Sequence, residues 1–174
     1  MIKWNIDTAH TSIGFKIKHL VVSTVRGHFT EFSGYVEAND DTFENAKVTF
    51  TAEAKSVSTS NEARDNHLRS ADFFDVEKFP QITFNSESFV KKGDSFEIIG
   101  NLTMKDVTKE ITLEASFAGI GTDMEGGRIA SFDITGSISR KDFNLTWNNL
   151  IETGQAVVGD TVWFDIHVEL KEEK

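Results

Sequence analysis

The chain has 174 residues, with 28 acidic and 18 basic side chains, a formal net charge of −10 and no cysteine. This composition excludes disulfide and thiolate chemistry, and the negative charge repels phosphate backbones, so nucleic acid is not an expected partner. No apolar run approaches the roughly 20 residues of a membrane-spanning helix, and the N-terminus lacks the features of a signal peptide. We therefore expect a soluble, cytoplasmic protein without stable membrane insertion; export is the alternative if a signal peptide has been removed.

Apolar and polar residues alternate in segment after segment, beginning with Ile13, Phe15 and Ile17. The same pattern recurs within residues 32–36, 48–52, 82–84, 98–104, 111–117, 132–138 and 162–170. A period of two predicts strands with one apolar and one polar face. About eight such strands, with almost no helix to cover them, bury their apolar face most easily as a closed antiparallel barrel. We predict an all-β chain that forms a single domain over residues 1–174.

Turn residues separate most of these segments. Asn39-Asp40-Asp41, Lys92-Gly93-Asp94, Gly126-Gly127 and Gly159-Asp160 fall between alternating segments, and most are typical of hairpin connections. The exception is a short helical insertion at about residues 60–74, where Thr59 and Glu62 have the spacing of a capping box. We expect this insertion to lie across one end of the barrel as a lid or plug.

The parity of each strand predicts which side chains face the interior of the barrel. Gly34, Gly100 and Gly136 share that parity and are expected to keep the lumen open. The predicted lumen residues are Phe15, Ile17, Phe32, Val36, Phe50, Phe84, Ile98, Leu102, Phe132, Ile134, Phe164 and Ile166. Whether this interior is packed solid or holds a ligand is left open by the pattern.

The helical insertion is the part of the chain richest in functional groups, and it has two interpretations. In the structural one, Arg64 and Arg69 form ion pairs with Asp65, Asp72 or Asp75. In the functional one, Arg64, His67 and Arg69 bind an anionic headgroup at the mouth of the barrel. Phe73 and Phe74 would then line the throat. The two interpretations are compatible.

Arg140 keeps the inward parity of the strand before it. An unpaired guanidinium in an apolar lumen would cost several kcal/mol, roughly, so Arg140 must have a partner. We predict a structural pair with Asp142, or with Asp72.

The remaining polar residues do not form a catalytic signature. Of the five histidines, His10, His19 and His28 are spaced nine apart, which matches no established zinc pattern, so hydrogen bonding near strand ends is the expected role. Thr135-Gly136-Ser137-Ile138-Ser139 lacks the second glycine of a nucleophile elbow. We expect no metal, no cofactor and no catalytic residue.

Several strings of the chain together resemble the YceI-like family over Trp4 to about Glu169. They include Trp4-x-Ile6-Asp7-x-x-His10, Arg26-Gly27-x-Phe29, Arg64-Asp65-x-His67-Leu68-Arg69-Ser70-x-Asp72-Phe73-Phe74-Asp75, Phe79-Pro80-x-Ile82, Gly100-x-Leu102-Thr103, Arg140-x-Asp142-Phe143 and Val158-Gly159-Asp160. The resemblance implies a lipocalin-like eight-stranded barrel that holds a long polyisoprenoid chain in its lumen. Asp106 and Asn144 stand where the family commonly has glycine; both residue types tolerate a left-handed backbone, so we expect the turns to survive.

With this resemblance, the expected function is the non-enzymatic sequestration or transport of a long linear isoprenoid, such as a diphosphate or quinone, with a tail of some eight isoprene units. Fifteen phenylalanines could instead fill a small barrel and make it an interaction or stress protein. An enzyme acting on isoprenoids is the third alternative. Trp163, on the outward parity of the last strand, hints at an interface, so a homodimer is a possible assembly.

Overall fold

The computed structural model describes residues 1–148 and 157–174, and it confirms an antiparallel β-barrel with one short α-helix. The helix, α1, spans Glu62–Arg69. Three short 3-10 turns span Thr8–His10, Ala54–Ser56 and Arg140–Phe143. The strands are β1 Ile2–Ile6, β2 Ser12–His19, β3 Ser23–Phe29, β4 Phe32–Ala38, β5 Lys47–Glu53, β6 Val57–Ser58, β7 Gln81–Lys92, β8 Ser95–Met104, β9 Val107–Thr122, β10 Arg128–Ser139 and β11 Val158–Glu172.

These eleven strands build a ring of eight, because three members of the ring are each interrupted once. Strands β1 and β2 pair with successive parts of β11, through Ile6 opposite Leu170 and Ile13 opposite Ile166. Strands β3 and β4 continue one another in the same way, as do β5 and β6. The pairing of β1 with β11 closes the barrel. The predicted eight-stranded antiparallel barrel is therefore confirmed.

The first interruption shows how the chain bends without losing its place in the barrel. Asp7 caps the 3-10 turn, and its carboxylate accepts a hydrogen bond from the Ala9 amide at 3.0 Å. The turn leads directly into β2, which pairs with β11 again. The chain therefore bends at residues 7–11 while both segments stay paired with β11.

Two local predictions differ from the structure. Gly159 and Asp160 do not form a hairpin turn; they lie inside β11, where its register against β2 shifts between Val158 and Val162. The capping box is also wrong, because the N-cap of α1 is Asn61, whose side chain accepts from the Arg64 amide at 3.0 Å. The predicted helical insertion at one end of the barrel is otherwise confirmed.

The two positions where the family commonly has glycine have left-handed backbones. Asp106 has φ of 61° and Asn144 has φ of 59°. Asp and Asn are among the non-glycine residues that adopt this conformation most easily. The expectation that both turns survive the loss of glycine is confirmed.

Candidate functional site

The barrel encloses a cavity of about 580 Å³ whose wall is almost entirely apolar. This volume is within the range of about 300–1,000 Å³ that is usual for small-molecule sites. The polar wall residues come from the end of the barrel where α1 and Arg140 lie, which we call the mouth. They are Lys18, His19, Thr59, Arg64, His67 and Arg140.

The end of the barrel opposite the mouth is packed solid by aromatic rings. Phe43, from the connection between β4 and β5, is fully buried there, with its ring centroid 5.4 Å from that of Trp4 and 5.1 Å from that of Phe132. Phe117 stacks on Phe132 at 4.8 Å. The interior is therefore plugged at one end and hollow towards the other, which combines the two states that the sequence left open.

The structure places most of the predicted lumen residues on the cavity wall. Phe32 is the exception: it packs against Phe50 with a centroid distance of 6.3 Å and does not reach the cavity. The predicted residues on the wall are Phe15, Ile17, Val36, Phe50, Phe84, Ile98, Leu102, Phe132, Ile134, Phe164 and Ile166. Their contact with a ligand remains a prediction.

Gly34, Gly100 and Gly136 do not line the cavity themselves; the side chains beside them do. A methyl group on Gly100 would lie 2.6 Å from the ring of Phe84, and one on Gly136 would lie 2.6 Å from the side chain of Leu113. At Gly34 it would meet Ile6 at 2.8 Å. Phe84, Leu113 and Ile6 all line the cavity, so these glycines act indirectly: they leave room for wall side chains that a larger residue would displace.

Arg140 is the most deeply buried charged residue at the mouth, with only 2% of its surface exposed. Its guanidinium donates to the backbone carbonyls of Leu145 at 2.6 Å, Trp147 at 2.8 Å and Gly159 at 2.8 Å. Burial lowers the pKa of Arg140 from its ordinary value, opposed by Asp160 at 3.9 Å. The inward position is as predicted.

The predicted partners of Arg140 are wrong. Asp142 is exposed on the 3-10 turn, and Asp72 binds His67 at 2.8 Å. The acceptors that satisfy Arg140 are backbone carbonyls from two stretches of chain, before and after residues 149–156. Arg140 therefore joins these two stretches beside the mouth.

Helix α1 is held to the barrel by Asp65, which is 6% exposed. Its carboxylate accepts from both the amide and the hydroxyl of Thr59, at 2.8 and 2.6 Å. Arg64 donates to the Thr59 hydroxyl and carbonyl at 2.7 and 2.8 Å. Arg64 therefore forms neither the predicted ion pair nor a free guanidinium, because its partners are the neutral groups of Thr59, between β6 and the helix.

The five predicted mouth residues divide into two groups. Arg64, His67, Phe73 and Phe74 line the cavity. Arg69 does not, because its guanidinium points away to the carbonyls of Lys55 at 2.7 Å and Val57 at 3.2 Å. The structure thus gives Arg69 a role in holding the helix, in place of the predicted contact with a headgroup.

Trp147 is a mouth residue that sequence reasoning missed. Its ring lies 4.7 Å from His67 and 5.3 Å from Phe73, between centroids. It has no place in an alternating strand, so parity could not assign it. The sequence offered one sign of its position: Trp147 follows the inward-facing Arg140 by seven residues, in a stretch without a strand pattern.

One group of potential metal ligands lies outside the cavity. Among the residues that the structure describes, Asp7, His10 and Glu169 bring their ligand atoms within 4.8 Å of one another. Lys171 places its ammonium 3.0 Å from Asp7, so the protein itself supplies a cation there. The hydrogen bond between His10 and Asp7, 2.9 Å long, raises the pKa of His10 and lowers that of Asp7.

Comparison with known proteins agrees with this architecture. The profile of the YceI-like domain matches residues 4–170. The chain belongs to the YceI-like family. A UPF0312 protein of Staphylococcus aureus is 38% identical over 170 residues, which is 97% of each chain.

Solved structures extend the comparison. A Campylobacter jejuni YCEI protein is 33% identical, with a TM-score of 0.75 over 97% of this chain and 96% of that one. A polyisoprenoid binding domain from Saccharophagus degradans shares the fold at 13% identity, with a TM-score of 0.68 over 99% of this chain and all of the other. Among the described residues of this YceI-like protein, no helix is long and apolar enough to cross a membrane.

Proposed function

We propose that this YceI-like protein binds a linear isoprenoid lipid in its cavity and carries or sequesters it without chemical change. The observation that carries the proposal is an apolar cavity, closed by aromatic rings at one end and bordered by polar groups at the other. Such a site suits a ligand with one long apolar part and one polar end. The fold shared with a polyisoprenoid binding domain supports the choice of an isoprenoid.

The arrangement of the wall gives the ligand a direction. Because Trp4, Phe43 and Phe117 fill the far end, the tail would point towards them and the headgroup would remain at the mouth. The inward faces of the strands then contact the tail through dispersion and hydrophobic burial. A ligand of this type would enter and leave through the mouth.

The charge of the wall favours an anionic headgroup. Lys18, Arg64 and Arg140 line the cavity, and none of its described wall residues is an aspartate or glutamate. Arg140 is almost fully buried and donates to several carbonyls, whereas Arg64 and Lys18 are less buried, so these two are the cations better placed to meet a headgroup. We expect a prenyl diphosphate to bind more tightly than the matching alcohol.

The same wall argues against catalysis on the ligand. General acid–base chemistry needs a titratable group of suitable pKa beside the reacting atoms, often with a second group to orient it. His67 lines the cavity and pairs with Asp72 at 2.8 Å, but none of the described wall residues is an aspartate or glutamate that could act with His67 as a second acid or base. A binding protein is therefore the function that this geometry supports best.

The test is to extract protein purified from a lipid-containing host with organic solvent and to identify the extract by mass spectrometry. Lipid-free protein is then titrated with geranylgeranyl diphosphate and with geranylgeraniol. We expect a prenyl lipid at substantial occupancy and tighter binding of the diphosphate. Arg64→Gln should reduce this difference, whereas the matched Arg26→Gln, on an exposed part of β3, should not. No prenyl lipid in the extract and no uptake of either compound would overturn the proposal.

A further inference from the structure

The tip of the β2–β3 hairpin exposes three consecutive apolar side chains. Leu20 is 38% exposed, Val21 56% and Val22 85%. Single exposed apolar residues are common on protein surfaces, but runs of three at a loop tip are unfavourable in water unless something covers them. All three residues lie in the turn between β2 and β3.

The backbone of this tip is also strained. Leu20 has φ of 52° and Val21 has φ of 67°. The left-handed region suits Asn, Asp or Gly, which are the usual residues of tight hairpin turns, and a β-branched residue is a clear outlier there. An outlier that is both strained and apolar indicates that the side chains themselves are needed at this position.

The hairpin differs in charge from the rest of the molecule. The chain carries a net charge of −10, yet residues 8–30 contain Lys16, Lys18 and Arg26 and no acidic residue. Lys16 and Arg26 lie opposite each other across the two strands, close behind the tip. Among the residues that the structure describes, none of these three cations is in an ion pair, and the neighbouring Asp160 binds Lys141 at 3.4 Å.

The tip also borders the mouth of the cavity. The Leu20 amide donates to the Val157 carbonyl at 2.9 Å, and Val157 lines the cavity. Lys18, His19 and Val25, on either side of the tip, line it as well. A surface that covered Leu20, Val21 and Val22 would therefore stand next to the opening.

We propose that the β2–β3 hairpin docks on the surface of an anionic lipid bilayer. Leu20, Val21 and Val22 enter the headgroup region, while Lys16 and Arg26, on the strands behind the tip, are attracted to lipid phosphates. The apolar tip and the acid-free stretch behind it together match such a surface. The strongly negative remainder of the chain limits this contact to the hairpin, so the docking is weak, reversible and sensitive to salt. The inference rests on the proposed function, since it gives the isoprenoid a route between bilayer and cavity.

The direct test is co-sedimentation with vesicles of phosphatidylcholine containing about one third phosphatidylglycerol, compared with phosphatidylcholine alone. We expect binding to the anionic vesicles that falls at least tenfold in the double variant Val21→Asp, Val22→Asp and several-fold in Lys16→Gln, Arg26→Gln. Met124→Asp is the control, because Met124 is an apolar residue at the tip of the β9–β10 hairpin that is even more exposed than Val22. It should bind as the wild type does.

Three results would overturn the docking inference. In the first, the wild type binds neither kind of vesicle. In the second, the tip variant binds vesicles as well as the wild type does. In the third, the wild type is a dimer that does not bind vesicles, and sedimentation shows that the tip variant has lost the dimer. Failure of the proposed function is distinguishable. In that case, neither the wild type nor any variant takes up geranylgeranyl diphosphate from detergent solution. The wild type still binds anionic vesicles, and the tip variant still binds them more weakly.

Discussion

At the scale of single residues, Arg140 acts mainly as a link between two stretches of chain, and its ion pair with Asp160, 3.9 Å long, is secondary. Its three shortest hydrogen bonds reach the carbonyls of Leu145, Trp147 and Gly159. Removing the guanidinium leaves these partly buried acceptors without a donor. We expect Arg140→Ala to lower the free energy of unfolding by about 3 kcal/mol, measured by urea denaturation.

Lys141→Ala is the matched control for Arg140. Lys141 is exposed and its contact with Asp160 is 3.4 Å long, so its loss should change stability by less than about 0.5 kcal/mol. If both variants unfold at the urea concentration of the wild type, the carbonyl contacts of Arg140 contribute nothing to stability.

Two phenylalanines on the cavity wall are expected to respond differently to truncation. Phe132 packs against Phe43, Phe117 and other rings of the plugged end, so Phe132→Ala should cost about 4 kcal/mol, as in a packed core. Phe164 is half-buried beside the open part of the cavity, and Phe164→Ala should cost about 2 kcal/mol. Thermal or urea unfolding of the two variants gives the comparison. Equal costs would show that the cavity is packed as tightly as the plug.

The sequence predicted that Arg140 points inward but not what it binds. Side-chain partners can be proposed from residue types, and Asp142 and Asp72 were the available carboxylates. Backbone carbonyls are present at every residue, so a sequence gives no sign of which ones converge on a guanidinium. The sequence also did not predict that Phe132 is tightly packed while Phe164 borders open space. Strand parity predicts which face of the sheet a side chain is on, but not how much space lies in front of it.

At the scale of elements, α1 depends on one buried carboxylate. Asp65 accepts two hydrogen bonds from Thr59, and because it is buried its loss is not made good by water, although Arg64 also donates to Thr59. Asp65→Ala should therefore lower the free energy of unfolding by about 2 kcal/mol and increase hydrogen exchange over Glu62–Arg69. Glu62→Ala, at an exposed position of the same helix, should leave the free energy of unfolding and the hydrogen exchange of the helix nearly unchanged. Normal exchange protection in Asp65→Ala would contradict this role.

The sequence predicted the number of strands in the ring, eight, but not where three of them are interrupted. Alternation continues through β3 and β4 with only Thr30 and Glu31 between them, so the pattern did not reveal whether the chain bends or reverses there. The pairing with neighbours decides this question, and it depends on contacts distant in sequence. The same bends explain why Phe32, just after an interruption, packs beside the cavity wall and not on it.

At the scale of the whole molecule, the cavity is smaller than the ligand expected from the sequence. The plug causes this difference, because Phe43 enters the barrel from a connection that the sequence predicted only as a turn. If each carbon of a packed tail occupies about the volume of a water molecule, roughly 30 Å³, the cavity of about 580 Å³ holds on the order of 20 carbons. This is about four isoprene units, half the length of the expected tail.

The dependence of affinity on tail length tests this limit. Each isoprene unit inside the cavity adds five carbons, or about 1.5 kcal/mol at roughly 0.3 kcal/mol per heavy atom, so affinity should rise about tenfold per unit. We expect this rise from geranyl to geranylgeranyl diphosphate and then a plateau, because additional units have no wall to contact. Titration of lipid-free protein with a series from two to eight units, by calorimetry or tryptophan fluorescence, gives the curve. A tenfold rise that continues to eight units would show instead that the aromatic plug opens to admit the tail.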